Sequence, residues 1–242
     1  MSEPIITTLD DADAVAAAVA EHIAQAVSRK PTLTLGLATG NTFRAIYAEL
    51  VERYRRGDFS LAQAKAFNLD EYVGLPHEHP GSFAAYMQHH LFQYVDFAPG
   101  AALLPEAHGD IEAACAAYEK AIVDAGRIDL QLLGMGRNGH IGFNEPGSAF
   151  DSRTREVELD ASTRAANAAD FPPGEDVPPT AVTMGIGTIL EAREIVLVVT
   201  GAHKTEALRQ AFTAPPSVDC PASALHAHPN VHIFQDRAAA AG

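Results

Sequence analysis

The order of apolar runs predicts an α/β fold with three layers, α/β/α, built on a mainly parallel, Rossmann-like open sheet and carrying one lid segment. Three observations support this. Short apolar runs of strand length recur along the 242 residues. Helical stretches separate those runs, which implies parallel pairing with helices on both faces. One long polar, proline-rich segment interrupts the alternation.

The elements follow in order. Residues 10–29 read as an amphipathic helix with Asp10, Asp11 and Asp13 around its first turn, where acids favour the helix dipole. TLTLGLA (32–38) is a compact apolar strand, and 43–56 return to helix. KAFNLD (65–70) is a second short strand. Residues 82–94 and 110–125 read as helices, the latter opening on Asp110 as a cap. IDLQLLG (128–134) is a third strand. EIVLVVT (194–200) is the clearest buried strand, 203–213 are helical, and NVHIFQD (230–236) closes the sheet. No repeat and no linker of domain-boundary character is present, so 1–242 read as one domain. ASTRAANAADFPPGEDVPPTA (161–181) holds four prolines. It is either a surface loop or a lid over roughly 161–180, since long irregular segments in compact domains are often functional.

Composition narrows the function classes. Apolar residues make up 47 % of the chain, which argues for a packed core, and no apolar run approaches membrane-spanning length. The start, MSEPIITTLDDADAV, lacks the basic and apolar regions of a secretory signal, and two cysteines form no disulfide framework. These features place the chain in the cytoplasm. Cys115 reads as packing in an Ala-rich helix, and Cys220, before Pro221, as a loop thiol. The net charge of −14 opposes nucleic acid. A small anion is compatible with it, because one cation plus backbone N–H groups holds a phosphate locally.

In open parallel sheets ligands bind beyond the carboxyl ends of the strands. After 32–38 come Thr39, Gly40, Asn41 and Thr42, which serve either as a helix cap or as an anion site. After 65–69 come Asp70, Glu71 and Tyr72. After 194–200 a glycine turn leads to His203 and Lys204. A lysine at the start of a helix works against the dipole, which points to phosphate binding.

The loop after 128–133 reads GMGRNGHIGFNEP, and Gly134, Gly136 and Gly139 fit G-x-G-x-x-G. A dinucleotide site needs a helix at the third glycine. Gly142, Pro146 and Gly147 argue against one, so no cofactor is expected here. His140 is either structural or an acid/base. A doubled-back loop would bring Glu145 to it, and a carboxylate on one ring nitrogen raises the basicity of the other. Glycines such as Gly136 let the backbone approach a ligand closely.

FNLDEYVGLP (67–76), GMGRNGHIGFNEPGS (134–148), AVTMGIGTIL (181–190) and GAHK (201–204) together resemble the glucosamine-6-phosphate deaminase family, in its order and spacing over nearly the whole chain. Its sister branch, the 6-phosphogluconolactonases, shares the fold but differs in the loop after the third strand. The resemblance implies an enzyme, a hydrolase acting on an aminosugar phosphate, that converts glucosamine 6-phosphate and water to fructose 6-phosphate and ammonia without redox cofactor or metal. It implies that Asp70 moves the proton between C2 and C1, that His140 handles the ring-oxygen proton, and that Glu145 is the partner of His140. It also implies that Gly40, Asn41, Thr42 and Lys204 bind phosphate. Asn138 stands where members carry Asp or Asn; an amide orients His140 but relays no proton.

Three departures stand out. The family's lid carries an Arg in a pattern like Ala-Asn-Ala-Arg-Phe-Phe, whereas Ala169 and Asp170 stand here, and Arg164 one turn earlier is the candidate substitute. Phe43 replaces a usual Pro. Val157 replaces the second of a basic pair whose first member is Arg155, so allosteric activation is not expected, and a monomer or small homo-oligomer is. Two alternatives remain: a deaminase of a related substrate such as galactosamine 6-phosphate, and a sugar-phosphate sensor, which the lack of a basic DNA-binding segment disfavours. The pairs His77/His79, His89/His90 and His226/His228 read as surface or loop histidines with no acid cluster to complete a metal site.

Overall fold

The computed structural model describes residues 3–241, so the outermost positions of the 1–242 unit lie outside the described residues. The described residues form ten strands and eight α-helices. They run β1 (Ile5–Leu9), α1 (Ala12–Arg29), β2 (Thr34–Leu37), α2 (Asn41–Arg55), β3 (Lys65–Asn68), β4 (Asp70–Tyr72), α3 (Phe83–His90), β5 (Ala102–Leu103) and α4 (Ile111–Asp124). There follow β6 (Leu130–Gly134), β7 (Arg155–Glu158), α5 (Ala161–Asn167), β8 (Thr180–Thr183), α6 (Ile186–Leu190), β9 (Glu194–Val199), α7 (Thr205–Thr213), β10 (Val231–Asp236) and α8 (Arg237–Ala240).

Seven strands form one sheet in the order β1-β10-β9-β6-β2-β3-β5, and every pairing in it is parallel. Ile195 to Val199 of β9 are all buried, which requires cover on both faces of the sheet. Each such side chain contributes about 1.5–3 kcal/mol when removed from water. The chain runs outward from β2 through β3 to β5, and from β6 the other way through β9. The topological switch therefore falls between β2 and β6, the crevice where open α/β sheets take ligands.

The strand expected over 65–70 is two strands in different sheets. Leu69 is the hand-over: its N–H donates to Leu37 in the main sheet, and its carbonyl accepts from Met184 at 2.7 Å. The chain then enters a three-stranded antiparallel sheet, β4-β8-β7. A short apolar run does not reveal which neighbour it pairs with, so β4, β7 and β8 are not visible as a unit in the sequence. The edge strands β1 and β5 escape too. Ile5 and Ile6 of β1 are largely exposed, and β5 has only two residues.

Segment 161–181 is not an irregular loop. Its Ala-rich first part forms α5 and a 3₁₀ turn over 168–170, and Phe171 anchors its middle among Tyr72, Phe143, Leu159 and Val177. α2 begins at Asn41 rather than 43, which puts Asn41 and Thr42 in its first turn. Lys204 ends a 3₁₀ turn (202–204) and precedes α7, so it stands at the helix entrance rather than inside it. Cys220 is buried rather than in an open loop, and a Cβ on Gly139 would lie 2.5 Å from its sulfur. Phe43 is buried over Gly134, where a Cβ would come within 3.2 Å of its ring; the glycine makes room for that ring.

Candidate active site

The loops after β2, β3, β6 and β9 leave the same edge of four neighbouring parallel strands, so the topology gathers the four stretches singled out in the sequence. The loop after β6 doubles back on itself. Gly136 N–H donates to the His140 carbonyl at 2.9 Å, and Gly139 N–H donates to Gly136. The His140 ring folds over Gly136, whose hypothetical Cβ would lie 2.2 Å from a ring carbon. Gly136→Ala is expected to push the ring off its partner and lower kcat/KM about a hundredfold, with little change in the unfolding midpoint. Kinetics measured beside thermal unfolding will separate the two, and an unchanged kcat/KM would refute this role for Gly136.

His140 Nδ1 lies 3.4 Å from Glu145 Oε2, within ion-pair distance but not aligned as a hydrogen bond. Glu145 is bound on both oxygens: Asn138 Nδ2 donates to Oε2 at 2.7 Å, and the Thr163 hydroxyl of α5 donates to Oε1. Burial alone would raise its carboxyl. The interactions with His140, Thr163 and Asn138 outweigh that and hold it down at about 2, so it stays anionic beside the imidazole. The Asn138 Oδ1 also accepts from the His140 backbone N–H at 3.2 Å.

Asp70 opens β4 and is 6 % exposed. No described residue donates a hydrogen bond to its carboxylate. Burial, reinforced by the neighbouring Glu71 charge, pushes it up to about 8. Glu71 itself is committed to structure, accepting from the N–H groups of Tyr72, Phe83 and Ala84 and so holding the entrance of α3. Asp70 and the His140 loop meet at Gly142. A Cβ there would be 3.5 Å from Asp70 Oδ2 and 3.0 Å from Thr183 Oγ1, and the Phe143 N–H donates to that hydroxyl. Gly142 holds φ +56°, which suits glycine and keeps this approach open.

At the β2 end, Gly40 takes φ +105° and leads into α2, with Thr39 half-buried and Asn41 exposed. No described residue bonds the side chains of Thr39, Asn41 or Thr42. Among the described residues the Lys204 ammonium has no carboxylate at ion-pair distance. Burial and the nearby Arg137 charge lower its pKa and outweigh the Asp236 charge, which raises it. Arg164 also lacks an acidic partner among the described residues, and its Nε is buried and unbonded.

Sequence reasoning missed several groups. Thr163 reaches Glu145 from a segment with no readable helix. Asn167 donates to the Tyr72 hydroxyl at 2.9 Å, fastening the end of α5 to β4. Asn144, in the quoted motif, donates to Ile141 and Met184 carbonyls and accepts from Arg155, which also reaches Ser148. The histidine reading needs one correction. His77 lies in an exposed group with Glu106 and His108, His22 pairs with Glu194 at 2.6 Å beside His232, and His79 pairs with Glu175 at 2.6 Å, so acids do accompany histidines at three places outside this site.

The sequence model of the family described as "Glucosamine-6-phosphate isomerases/6-phosphogluconolactonase" matches residues 8–233. A glucosamine-6-phosphate deaminase of Rhodopirellula baltica is 50 % identical over 236 residues, covering 97 % of this chain and 94 % of that protein. One of Mycolicibacterium smegmatis is 46 % identical, covering 97 % and 91 %. The solved structure of a monomeric glucosamine-6-phosphate deaminase superposes with a TM-score of 0.95 at 41 % identity, covering 98 % of this chain and 99 % of that one. A 6-phosphogluconolactonase from Trypanosoma cruzi shares the fold, with a TM-score of 0.80 at 19 % identity over 100 % and 98 % of the two chains.

Proposed function

The chain belongs to the family of glucosamine-6-phosphate isomerases and 6-phosphogluconolactonases, and from that premise we propose that it deaminates glucosamine 6-phosphate, giving fructose 6-phosphate and ammonia. The observation that carries the reading is the pairing, across Gly142, of a buried, unbonded carboxyl with a histidine–carboxylate–amide cluster. Two groups with opposed electrostatic settings suit a reaction with two different proton transfers.

The C2 proton of the aminosugar is weakly acidic until the ring opens. His140, oriented by Glu145 and Asn138, moves the proton from the C1 hydroxyl to the ring oxygen, which exposes the aldehyde. Asp70 takes the C2 proton while the substrate ammonium gives up one proton and O1 gains one, which forms an enolamine; Asp70 then returns its proton to C1, leaving an iminium at C2. Water adds to that carbon and ammonia leaves. Water enters the net equation once, which is the sole basis of the hydrolase label; the rearrangement itself is an aldose–ketose isomerisation, in line with the family's description. Gly40, Asn41, Thr42 and Lys204 would hold the phosphate, with Thr39 and Gly136 lining the approach. Segment 161–180 would act as the lid, reaching the cluster through Thr163.

Among the described residues no helix is long and apolar enough to cross a membrane. A cytoplasmic location fits a phosphorylated substrate. A monomer or small homo-oligomer is the proposed state, as the structural neighbour is described as monomeric. Val157 leaves Arg155 without its basic companion, so activation by N-acetylglucosamine 6-phosphate is not expected. Ala169 and Asp170 favour keeping galactosamine 6-phosphate as the second substrate reading. The test is ammonia release from glucosamine 6-phosphate, galactosamine 6-phosphate and unphosphorylated glucosamine. Turnover of the first alone is expected; turnover of only the second would select the alternative, and turnover of none would refute both.

A further inference from the structure

The lid lacks a guanidinium at position 169, but a guanidinium faces the lid from below. Arg44 Nη2 donates to Asp170 Oδ1 at 2.8 Å, and both side chains are nearly half exposed. Arg44 stands in the opening turns of α2, just past Gly40, Asn41 and Thr42. Its guanidinium carbon lies 6.0 Å from the centroid of the Tyr86 ring, and the Tyr86 hydroxyl donates to the Gly40 carbonyl at 2.8 Å. One aromatic side chain therefore spans from the guanidinium to the glycine at the mouth of α2. Asp170 is the only acid at ion-pair distance from Arg44 among the described residues.

A guanidinium fork fits a phosphate as it fits a carboxylate, through parallel charge-assisted hydrogen bonds. A half-exposed ion pair adds little stability, so its anion is readily exchanged. We propose that Arg44 supplies the phosphate-binding guanidinium of this site from α2 rather than from the lid, and that Asp170 occupies it until the substrate phosphate takes its place. This rests on the reading of Gly40 to Thr42 as the phosphate seat. It replaces Arg164 as the compensating residue, since Arg164 is on α5 and no observed contact links it to α2. The exchange also ties phosphate arrival to the lid, because the anion that is displaced belongs to the 168–170 turn.

The test combines titration of inorganic phosphate with steady-state kinetics on wild type, Arg44→Gln, Asp170→Asn and Arg164→Gln. Arg44→Gln is expected to weaken phosphate binding and raise the KM for glucosamine 6-phosphate about 10- to 100-fold, with kcat within a few-fold. Asp170→Asn is expected to tighten phosphate binding or leave it unchanged, because it removes the competing anion. Arg164→Gln is expected to change KM less than Arg44→Gln. The proposal is overturned if Arg44→Gln leaves phosphate binding unchanged, if wild type binds no phosphate, or if Arg44→Gln and Asp170→Asn weaken binding equally, which would make the pair a structural latch. Phosphate binding that depends on Arg44 in a protein that releases no ammonia would uphold this proposal while refuting the deaminase reading.

Discussion

Asp70→Asn is expected to lower kcat for ammonia release about 10²- to 10⁴-fold and at the same time to stabilise the protein at neutral and alkaline pH. The first effect follows from its place as the proposed carbon base, since an amide cannot accept the C2 proton. The second follows from linkage. The Asp70 carboxyl titrates near 3.8 when exposed and is pushed up to about 8 by burial and by Glu71. Between those values the folded protein keeps a proton that the unfolded chain has released. Stability contributed by this group is therefore fully present below about pH 4 and is lost as pH rises through 8. At about 1.4 kcal/mol per pH unit the loss amounts to several kcal/mol. The Asn variant has no such term. Its unfolding free energy should show a shallower fall from pH 5 to 9 than wild type, and should exceed wild type at the upper end. Wild-type kcat/KM should rise with pH toward a midpoint near 8, as the base ionises in the free enzyme. Retained turnover in the variant would refute the catalytic assignment. Identical pH slopes of stability would refute the burial argument, even if turnover were lost.

His140→Gln should also cost about 10²- to 10⁴-fold in kcat, but at a different step. Glutamine preserves size and some hydrogen bonding yet cannot carry a proton between the C1 hydroxyl and the ring oxygen. Ring opening then becomes limiting. With substrate deuterated at C2, the isotope effect on kcat should shrink toward unity in this variant. An isotope effect larger than that of wild type would place His140 at the enolisation instead. Glu145→Gln should show the same suppression with a smaller loss of rate, because the imidazole remains while its anionic partner is gone. Glu145 is held at about 2 by contacts with His140, Thr163 and Asn138 that outweigh its burial. Its stabilising contribution is therefore present above about 4.5 and lost as pH falls toward 2. Acid should open the link between Glu145 and Thr163 of α5 in that window.

Much of this site is readable in the sequence because its parts are local. Asp70, His140, Glu145 and Lys204 each follow a strand that an apolar run marks, and parallel strands deliver their loops to one edge. The glycines at 134, 136, 139 and 142 announce close approach before any coordinate is known. The unbroken apolar run of EIVLVV requires a strand covered on both faces, and the parallel sheet follows from the helices between strands.

The tertiary structure alone decided what depends on residues far apart in the chain. That Leu69 leaves the main sheet and delivers Asp70 to a second one rests on its bonds to Leu37 and Met184. The burial that lifts Asp70 toward 8 follows from that hand-over, and no property of the run KAFNLD encodes it. Thr163 on Glu145 and Asp170 on Arg44 join residues 18 and 126 positions apart. Apolar periodicity reports which face of an element is covered, whereas pairing partner, desolvation and ion-pair choice are set by whatever the completed fold brings alongside.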